Sequence, residues 1–460
     1  MSAHDITSLM VRTFESFLHI HLLLAFLVYV FILISQRKHF DHLKIKTYTK
    51  EQIAFDKIRA PRVSLIMPAH NEGAAVIDSI EAALSSEYPN LEIIVINDGS
   101  IDDTLEIIIE RYELIPTDRK RILSLAQDNP LAIYSSLKTP RLFLVDKTHS
   151  GKADSLNMGI EYATGDLLCC MDGDSIMLPD ALPKLVTKFI NEPKLIALGG
   201  AVAPSNALSI RNGQIVRNES RTSLLEKIQV VEYLRSFTLW RTGWSYVDGL
   251  LIISGAMTVF SREALIRVDG FKSDTVTEDL DIILRLHQYY CQHRLPYHIW
   301  TIPNVICWTR APKTLSQLRK QRIRWMMGAL QCLARCRNLM GNPHNHVLGW
   351  FALPHLVFIE VFAPVIEFVG LVVLITSAGI GMLSYHSAIV YGFLIYALTG
   401  FYSWNAIYAG DIYFKNYSSL RDDLRVGLIG LIEPIGYRQL DSIWRMMGWW
   451  KWLTRKKISW

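Results

Sequence analysis

Acidic and amide side chains recur where short apolar runs give way to turns. The pairs of run and turn are VSLIMP with AHNE, LEIIVI with NDGS, and DLLCC with MDGDS. A single turn of this kind carries little functional information, because Asp and Asn favour turns in any protein. Three in series predict a row of carboxylates and amides along one edge of a sheet.

Such a row needs a counter-charge, since close carboxylates raise one another's pKa unless a cation lies among them. Asp172-Gly173-Asp174 places two carboxylates around a glycine that leaves room for a large ligand. Oxygen ligands of this kind suit Mg²⁺ or Mn²⁺, which bridge carboxylates to the phosphates of a substrate. Lys152, after Gly151 at the start of a predicted helix, adds a cation and backbone N–H groups. The pattern predicts a metal and nucleotide-diphosphate site.

Two further motifs are candidates for binding and activating an acceptor. Asp279 follows Thr277-Glu278 and precedes the predicted helix LDIILRLHQYY, so it could be a general base for an attacking hydroxyl. An ordinary helix N-cap at Thr277 or Asp279 explains the same residues. Ser254-Gly255 breaks an apolar run and could let a bulky acceptor approach, although a turn at a strand end explains it equally well.

The elements that must position these residues alternate between strand and helix over 61–204. Each β-rich apolar run is followed by a turn and an amphipathic helix, which predicts a largely parallel sheet with helices on both faces. In such sheets ligands bind beyond the carboxyl ends of the strands, where the polar turns lie. The chain lacks G-x-G-x-x-G after the first strand and a G-K-[ST] loop, which disfavours a dinucleotide oxidoreductase and a P-loop NTPase. The segment 114–139 is predicted to be an irregular insertion.

Apolar segments flank this α/β region. Residues 16–35 contain no Asp, Glu, Lys or Arg, and at ~1.5 Å per residue they can span the ~30 Å of hydrocarbon. The basic stretch 36–38 follows directly, so the positive-inside tendency predicts a retained anchor with the α/β region in the cytoplasm. Residues 361–383 and 387–409 are predicted to form a membrane hairpin, in which Glu367 must face protein or water.

The composition agrees with a soluble domain joined to membrane segments, since 50% of the residues are hydrophobic and 20% are charged. A formal charge of +5 over 460 residues gives no support to a nucleic-acid partner.

The segment 425–440 is predicted to span the membrane, to re-enter it or to lie flat on it. The predicted parts are an N-terminal tail (1–15), a transmembrane helix (16–35), a linker (36–60), the α/β domain (61–340), an interfacial helix (341–360), two transmembrane helices (361–383 and 387–409) and an amphipathic or membrane-associated C-terminal region (410–460).

Taken together, the motifs resemble the membrane-integrated inverting glycosyltransferases of family 2, which include the cellulose, chitin, hyaluronan and poly-N-acetylglucosamine synthases. The matching motifs are PAHNE (68–72), NDGS (97–100), SGKADSLNMG (150–159), MDGDS (171–175), SGA (254–256), TED (277–279) and QRIRW (321–325). Each motif is weak alone, but the ordered set is specific and covers nearly the whole chain. Within the group, the chain looks most like the bacterial poly-N-acetylglucosamine synthases.

The resemblance implies a Rossmann-like GT-A fold for the cytoplasmic domain, flanked by transmembrane helices, and a role for each matching residue. The nucleotide-sugar contacts would be Ala69, Asn71, Glu72, Asp98, Lys152, Asp172, Gln321 and Arg322. The catalytic residues would be Glu278, Asp279 and Arg324, the acceptor contacts Ser254, Gly255 and Trp325, and the ligand of Mg²⁺ or Mn²⁺ Asp174. Asp279 would be the base, Arg324 would stabilise the leaving UDP, and Trp325 would stack on an acceptor sugar. Asn97 stands where the family more often has Asp, so it is left out of the metal set.

The implied reaction moves N-acetylglucosamine or glucose from a UDP-sugar to a growing β-linked polysaccharide at the cytoplasmic face of the inner membrane. Export of the polymer is a hypothesis drawn from the family. Because the chain has few predicted spans in the membrane lipid, a pore would need a homodimer or an accessory membrane subunit. The alternative is a glycosyltransferase that adds one or a few sugars to a lipid acceptor. A non-catalytic UDP-sugar sensor or transporter is a further alternative, which steady UDP release would exclude.

Overall fold

The computed structural model describes residues 3–43, 60–206, 208–211, 214–218, 223–342, 345, 347–379, 381, 385–414 and 420–455. The chain divides into an α/β unit, within 40–233 and 250–312, and a helical unit, within 1–39, 234–249 and 313–460. The predicted α/β domain 61–340 therefore extended too far. Residues 234–249 and 313–340 belong to the helical unit, because their helices pack against other helices of that unit.

The strands are β1 Val63–Ala69, β2 Leu91–Asp98, β3 Leu114–Pro116, β4 Ala132–Ser136, β5 Leu142–Lys147, β6 Leu167–Met171, β7 Ile176–Met177, β8 Leu195–Pro204, β9 Leu208–Arg211, β10 Gln214–Asn218, β11 Met257–Ser261 and β12 His298–Thr309. The α-helices are α1 Ala3–Leu43, α2 Ala75–Leu84, α3 Thr104–Tyr112, α4 Lys152–Tyr162, α5 Ala181–Asn191, α6 Leu224–Leu234, α7 Thr242–Tyr246, α8 Arg262–Arg267, α9 Glu278–Gln292, α10 Leu315–Arg335, α11 Leu353–His355, α12 Ala363–Gly379, α13 Tyr385–Phe414, α14 Leu420–Ile432 and α15 Tyr437–Leu453. Shorter helical turns are the π-helices Arg235–Arg241, Leu348–Ala352 and Leu356–Val361 and the 3₁₀-helix Arg337–Leu339.

The α/β unit is built on a mixed sheet of ten strands in the order β3-β4-β5-β2-β1-β6-β11-β8-β12-β7. Strands β5, β2, β1 and β6 are parallel neighbours, whereas β11 runs antiparallel between β6 and β8. The predicted alternation over 61–204 is confirmed. The expectation of an irregular insertion at 114–139 was wrong in part, because β3 and β4 lie within it and β4 pairs antiparallel with β5.

Helices cover both faces of the central strands, so β1 and β2 are almost continuously buried. Helix α4 lies directly on β1, and Gly159 allows this approach. A Cβ at Gly159 would lie 2.2 Å from Cγ2 of Ile66, too close for any other residue. Because α4 begins at Lys152, this contact also positions Lys152 at the edge of the sheet where the strands end.

Glu92 at the start of β2 is a buried structural acid at the opposite end of the strand from the polar turns. Its carboxylate accepts hydrogen bonds from Arg119 Nη2 at 2.6 Å, from the Thr164 backbone N–H at 2.6 Å and from the Ser64 hydroxyl. Burial alone would raise the pKa of Glu92, but these hydrogen bonds outweigh it and hold the pKa below its ordinary value. Glu92 therefore stays ionised and ties β1, β2 and the turn before β6 together.

In the helical unit, the first helix is longer than the sequence predicted. It runs from Ala3 to Leu43, so residues 3–15 of the predicted tail and residues 36–43 of the predicted linker are helical. No Gly or Pro occurs before Pro61, and the helix therefore meets no strong stop signal at the ends of the apolar stretch. The rest of the predicted linker, 44–59, lies outside the described residues.

Among the described residues, two helical runs are long and apolar enough to cross a membrane: Ser16–Phe40 and Leu348–Gly379. The second run corrects the prediction of an interfacial helix at 341–360 followed by a separate span at 361–383, because one helical run covers most of both. The predicted span 387–409 lies within α13, and its crossing of a membrane stays a prediction.

The helical run Leu348–Gly379 contains two prolines, Pro354 and Pro364. A proline has no N–H and its ring clashes with the carbonyl of the preceding turn. Here each proline follows a π-helical segment whose wider turn accommodates it, with Pro354 after Leu348–Ala352 and Pro364 after Leu356–Val361. The chain therefore stays helical through both prolines.

The segment 425–440 is not one span. Helix α14 ends at Ile432, the chain turns through Pro434 and Gly436, and α15 begins at Tyr437. Gly436 has a φ of 82°, which only glycine adopts readily. Glu367 faces protein, as predicted, because its carboxylate accepts a hydrogen bond from Arg438 Nη2 at 3.0 Å.

Candidate active site

The three polar turns lie together at the carboxyl ends of adjacent strands, as the sequence predicted. Ala69 at the end of β1 pairs with Asn97 of β2, and Asn97 pairs with Asp146 of β5. Strand β6, which leads into Asp172, is the neighbour of β1 on its other side. Asn97 Nδ2 donates to Asp146 Oδ1 at 2.7 Å, so this amide holds two strand ends together.

The AHNE and NDGS turns are joined by hydrogen bonds. Asn71 adopts a left-handed conformation with a φ of 55°, and its Oδ1 accepts from the Ile101 N–H at 2.9 Å. The Asn71 N–H donates to Ser100 Oγ at 3.1 Å, and the Glu72 N–H to Thr104 Oγ1 at 3.0 Å. The two turns therefore form one structural element at the strand exits, with Glu72 held at its centre.

Asp98 is buried and its carboxylate is surrounded by donors. Lys147 Nζ lies 2.8 Å from Oδ1, and the backbone N–H groups of Ser150 and Gly151 donate at 3.0 and 2.9 Å. Burial alone would raise the pKa of Asp98, but the hydrogen bonds from these three groups outweigh it and lower the pKa. Asp98 is therefore an ionised acid that fixes the loop leading into α4.

Two histidines that the sequence reasoning missed lie over Asp98. The rings of His70 and His149 stack with centroids 4.2 Å apart, and His149 Nδ1 lies 3.0 Å from Asp98 Oδ2. One ligand atom from each of the three residues lies within 4.8 Å of the others, so the group could hold a metal ion. The donors on Asp98 from Lys147 and the loop backbone already occupy both of its oxygens. The cluster is accordingly a weaker metal site than the neighbouring carboxylates.

The DGD turn gathers the carboxylates that were predicted to hold a metal. Burial and the charge of Asp172 raise the pKa of Asp174 to about 6, and burial together with the charge of Asp174 raises the pKa of Glu72 to about 7. These acids are close enough to oppose one another's ionisation. Carboxylate oxygens whose ionisation is opposed by burial and by one another fit Mg²⁺ or Mn²⁺.

Gly173 lies against the adjacent strand. A Cβ at this position would lie 2.6 Å from the carbonyl oxygen of Pro68 in β1. The glycine thus permits the DGD turn to pack on the adjacent strand. The approach of a ligand at Gly173 stays a prediction.

Lys152 lies between two carboxylates. Its Nζ is 2.6 Å from Asp172 Oδ1 and 2.6 Å from Glu278 Oε1. Burial alone would lower the pKa of Lys152, but the charges of Asp172, Glu278 and Asp279 outweigh it and raise the pKa above its ordinary value. Lys152 therefore joins the DGD turn to the TED turn by its charge.

The TED and SGA motifs meet beside this lysine. Asp279 lies in the first turn of α9, and its Oδ1 accepts from the Leu280 N–H at 2.9 Å. Thr277 occupies the N-cap position, but its side chain makes no capping hydrogen bond, which weakens the N-cap explanation. A Cβ at Gly255 would lie 2.9 Å from Lys152 Nζ and 3.5 Å from Asp279 Oδ2. A pocket is lined here by Lys152, Cys170, Gly255, Phe271, Glu278 and Asp279.

Ser254 serves as a turn residue as well, since its Oγ accepts from the Ala256 N–H at 3.3 Å just before β11. The carbonyl of Ala256 accepts from the Asp172 N–H at 3.3 Å. The SGA motif is therefore a turn at a strand end that lies beside the DGD turn, and its contact with an acceptor stays a prediction.

The QRIRW motif lies on α10 of the helical unit, a helix that starts with a capping box formed by Thr314 and Gln317. Gln321, Arg322 and Arg324 are half-buried, and Trp325 is exposed. Their proposed contacts with a nucleotide sugar or an acceptor stay predictions.

Sequence reasoning missed two cations of the α/β unit. Lys147 is completely buried beneath Asp98, and only its place at the end of β5 could have indicated it. Arg310 directly follows β12, and its positive charge lowers the pKa values that burial raises at Glu72 and Asp174. Its position at a strand exit was the available signal.

Comparison with known proteins identifies the family. A model described as "Glycosyl transferase family 2" matches residues 64–268, and one described as "Glycosyl transferase family group 2" matches residues 167–406, more than half of the chain. The chain belongs to glycosyltransferase family 2. This membership favours an enzyme over the alternative of a non-catalytic sensor or transporter.

Two relatives and one solved structure are informative. Poly-β-1,6-N-acetyl-D-glucosamine synthase of Staphylococcus epidermidis is 30% identical over 319 residues, which cover 69% of this chain and 64% of that protein. The synthase of the same name from Staphylococcus aureus strain COL is 30% identical over 286 residues, covering 62% of this chain and 58% of that protein. The match thus spans less than two thirds of either relative.

The mannosyltransferase PcManGT from Pyrobaculum calidifontis, solved in complex with GDP-Man and Mn²⁺, has a TM-score of 0.57 to this chain at 18% identity. The match covers 93% of this chain and 99% of that one. This likeness confirms the predicted GT-A-like α/β fold.

Proposed function

We propose that the protein transfers N-acetylglucosamine from UDP-N-acetylglucosamine to the end of a growing β-linked polysaccharide at the cytoplasmic face of a membrane. The observation that carries the proposal is the pocket in which Asp279 lies beside Lys152, at the end of the acidic row. The choice of N-acetylglucosamine over glucose is supported by the relatives, which are poly-β-1,6-N-acetyl-D-glucosamine synthases.

Asp279 is the proposed general base. Its Oδ1 is fixed by the Leu280 N–H, and its carboxylate lies at the N-terminus of α9, where the helix dipole favours an anion. The acceptor hydroxyl gives its proton to this carboxylate while its oxygen attacks the anomeric carbon opposite the departing UDP. An α-linked donor then yields a β-linkage.

Charge develops on the diphosphate as UDP leaves. Lys152 supplies a positive charge within the α/β unit, held in place by Asp172 and Glu278. By resemblance to the family, Arg324 of the QRIRW motif also stabilises the leaving diphosphate, together with Gln321 and Arg322. Such fixed charges stabilise the transition state electrostatically and form no covalent intermediate.

Asp174, next to Glu72 and Asp172, would hold Mg²⁺ or Mn²⁺, and the bound ion would supply Lewis-acid stabilisation of the diphosphate. Ala69, Asn71, Glu72 and Asp98 are the proposed surroundings of the uridine. Because its oxygens are engaged, Asp98 contributes chiefly by holding the loop that begins α4.

The acceptor is proposed to contact Ser254, Gly255 and Trp325, with the sugar stacking on the exposed indole. The candidate membrane helices Ser16–Phe40 and Leu348–Gly379 support a multi-pass location, and the basic stretch 36–38 supports a cytoplasmic catalytic unit.

The test is UDP release by the detergent-purified full chain, offered UDP-N-acetylglucosamine and UDP-glucose separately, with product size measured on the same samples. The expected result is release and long product from UDP-N-acetylglucosamine alone, lost with EDTA and restored by Mn²⁺ or Mg²⁺. Release with only short or lipid-linked product would replace the polymer proposal by the glycolipid alternative. Turnover of glucose alone would overturn the donor assignment.

A further inference from the structure

Helix α15 presents three different faces. Tyr437, Asp441 and Gly448 lie on the face that contacts α10, the helix of the QRIRW motif. Arg438, Ser442, Arg445 and Trp449 contact the helical run Leu348–Gly379. The exposed face carries Leu440, Ile443, Met447 and Trp450. Helix α15 therefore contacts both the helix of the QRIRW motif and the candidate membrane helix Leu348–Gly379, all within the helical unit.

Asp441 is aimed at the motif. Its Oδ1 lies 3.4 Å from Arg322 Nε, and Arg322 Nη2 donates to the Tyr437 hydroxyl at 3.3 Å. The side chains of Arg322 and Asp441 are only 12% and 18% exposed, so their charges are weakly screened by water. The guanidinium is thus contacted twice by one helix, by the charge of Asp441 without a hydrogen bond at Nε and by the Tyr437 hydroxyl.

Arg322 in turn contacts the aromatic residue of the motif. Its Cζ lies 4.8 Å from the centroid of the Trp325 ring, a distance at which a cation and an indole attract each other. Trp325 itself is 40% exposed. The orientation of this exposed indole therefore depends on a guanidinium that Asp441 orients.

The packing fixes the rotation of α15 against α10. A Cβ at Gly448 would lie 2.8 Å from Met326 Cβ and 3.0 Å from the Ile323 carbonyl oxygen, so the two helices touch beside the motif. With the backbones in contact at Gly448, the backbone of Asp441 is kept beside Arg322, while its other carboxylate oxygen lies 3.9 Å from Arg445 Nη1.

The other polar face anchors α15. Arg445 Nη2 donates to the Glu360 carbonyl at 2.5 Å, and Trp449 Nε1 donates to the Val361 carbonyl at 2.9 Å. Glu360 is four residues before Pro364, and the carbonyl at that position loses its helical partner to a proline. Pro364 has no N–H that could donate to the Glu360 carbonyl, and Arg445 supplies a donor to this carbonyl instead.

We propose that Asp441 is a positioning residue for glycosyl transfer: it orients Arg322, and through it Trp325, so that α15 sets the geometry of the QRIRW motif. The inference rests on the proposed function, in which this motif contacts the leaving diphosphate and the acceptor sugar. It adds a carboxylate 119 positions after Arg322 in the chain to the residues that determine turnover.

The test is a double-mutant cycle on the full chain in detergent, using Asp441→Asn, Arg322→Gln and the double variant. Asp441→Asn is expected to lower kcat about tenfold at unchanged donor KM, because a misplaced group costs rate and the uridine-binding residues are untouched. In the Arg322→Gln background the same substitution is expected to have no further effect. Asp441→Glu, which keeps the carboxylate, is expected to recover most of the lost turnover.

Glu367→Gln is the matched control, since it removes an ion pair from the other polar face of α15. Its effect is expected to be the same in the wild-type chain and in the Arg322→Gln background, because Glu367 does not touch the motif. If Asp441→Asn does not purify as a folded monodisperse protein, Tyr437→Phe removes another contact of Arg322 and enters the same cycle.

Wild-type turnover in Asp441→Asn, or effects of Asp441→Asn and Arg322→Gln that simply multiply, would overturn the inference. Equal coupling of Glu367→Gln to Arg322→Gln would do the same, because it would indicate general loosening of α15. The cycle is run with whichever nucleotide sugar the wild-type enzyme turns over. Failure of UDP-N-acetylglucosamine alone therefore overturns the donor assignment and leaves the coupling measurable.

Discussion

Replacing Lys152 by Met tests whether one cation holds the candidate active site together. The substitution keeps the length of the side chain and removes its charge. Asp172 and Glu278, each 2.6 Å from Nζ, then lose their shared partner. The expected consequences are a loss of folding stability and a loss of activity, since the same charge is proposed to face the diphosphate.

The magnitude follows from burial. Removing one partner of a fully buried ion pair costs about 3–5 kcal/mol, because the remaining charge is left without compensation. Lys152, Asp172 and Glu278 are 30%, 31% and 11% exposed, so water recovers part of this cost. The unfolding free energy of Lys152→Met is therefore expected to fall by about 2–3 kcal/mol.

Lys184→Met is the matched control. Lys184 Nζ also lies 2.6 Å from a carboxylate, that of Asp180, but this pair connects successive turns of one helix and Asp180 is 45% exposed. Exposed pairs of this kind contribute about 0.3–0.5 kcal/mol. Urea unfolding of the full chain in detergent, followed by circular dichroism, measures both variants, and UDP release measures their activity. Equal unfolding free energies for the two variants, or normal UDP release from Lys152→Met, would refute the reasoning.

Three further predictions concern single residues. Asp279→Asn is expected to keep UDP-sugar affinity, measured by calorimetry, while turnover falls about 10²–10⁴-fold; near-normal turnover would remove Asp279 from the role of base. Gly173→Ala is expected to cost about 1–3 kcal/mol in unfolding free energy because its Cβ meets the Pro68 carbonyl, whereas Gly379→Ala, whose Cβ meets no atom from outside its own helix within 4 Å among the described residues, is the neutral control. Glu92→Gln is expected to be less stable than the wild type near neutral pH. A lowered pKa contributes stability above the unfolded value and loses it as the pH falls through the folded value, so this difference should begin to shrink below about pH 4.3, the ordinary pKa of glutamate, and a pH-independent difference would contradict the assignment.

Local signals explain what the sequence predicted well. The alternation of β-rich runs and amphipathic helices over 61–204 depends on neighbours a few residues apart, and it produced the strands and helices observed. The strand order β5-β2-β1-β6 then brought Asp98, Asp172 and their turns to one edge, as parallel strands require. Helix ends were less predictable. The prediction divided 341–383 into an interfacial helix and a span, whereas π-helical turns carry one helical run, Leu348–Gly379, through Pro354 and Pro364.

The sequence by itself determined the family, the α/β class and the positions of the polar turns, because each rests on short motifs in a fixed order. Only the tertiary structure decided which charges meet. Lys152 pairs with Glu278 across 126 positions, and Arg322 with Asp441 across 119, and no local pattern indicates either pair. Charges interact through space, so such partners depend on how sheets and helices pack, and packing is the property that local sequence specifies least.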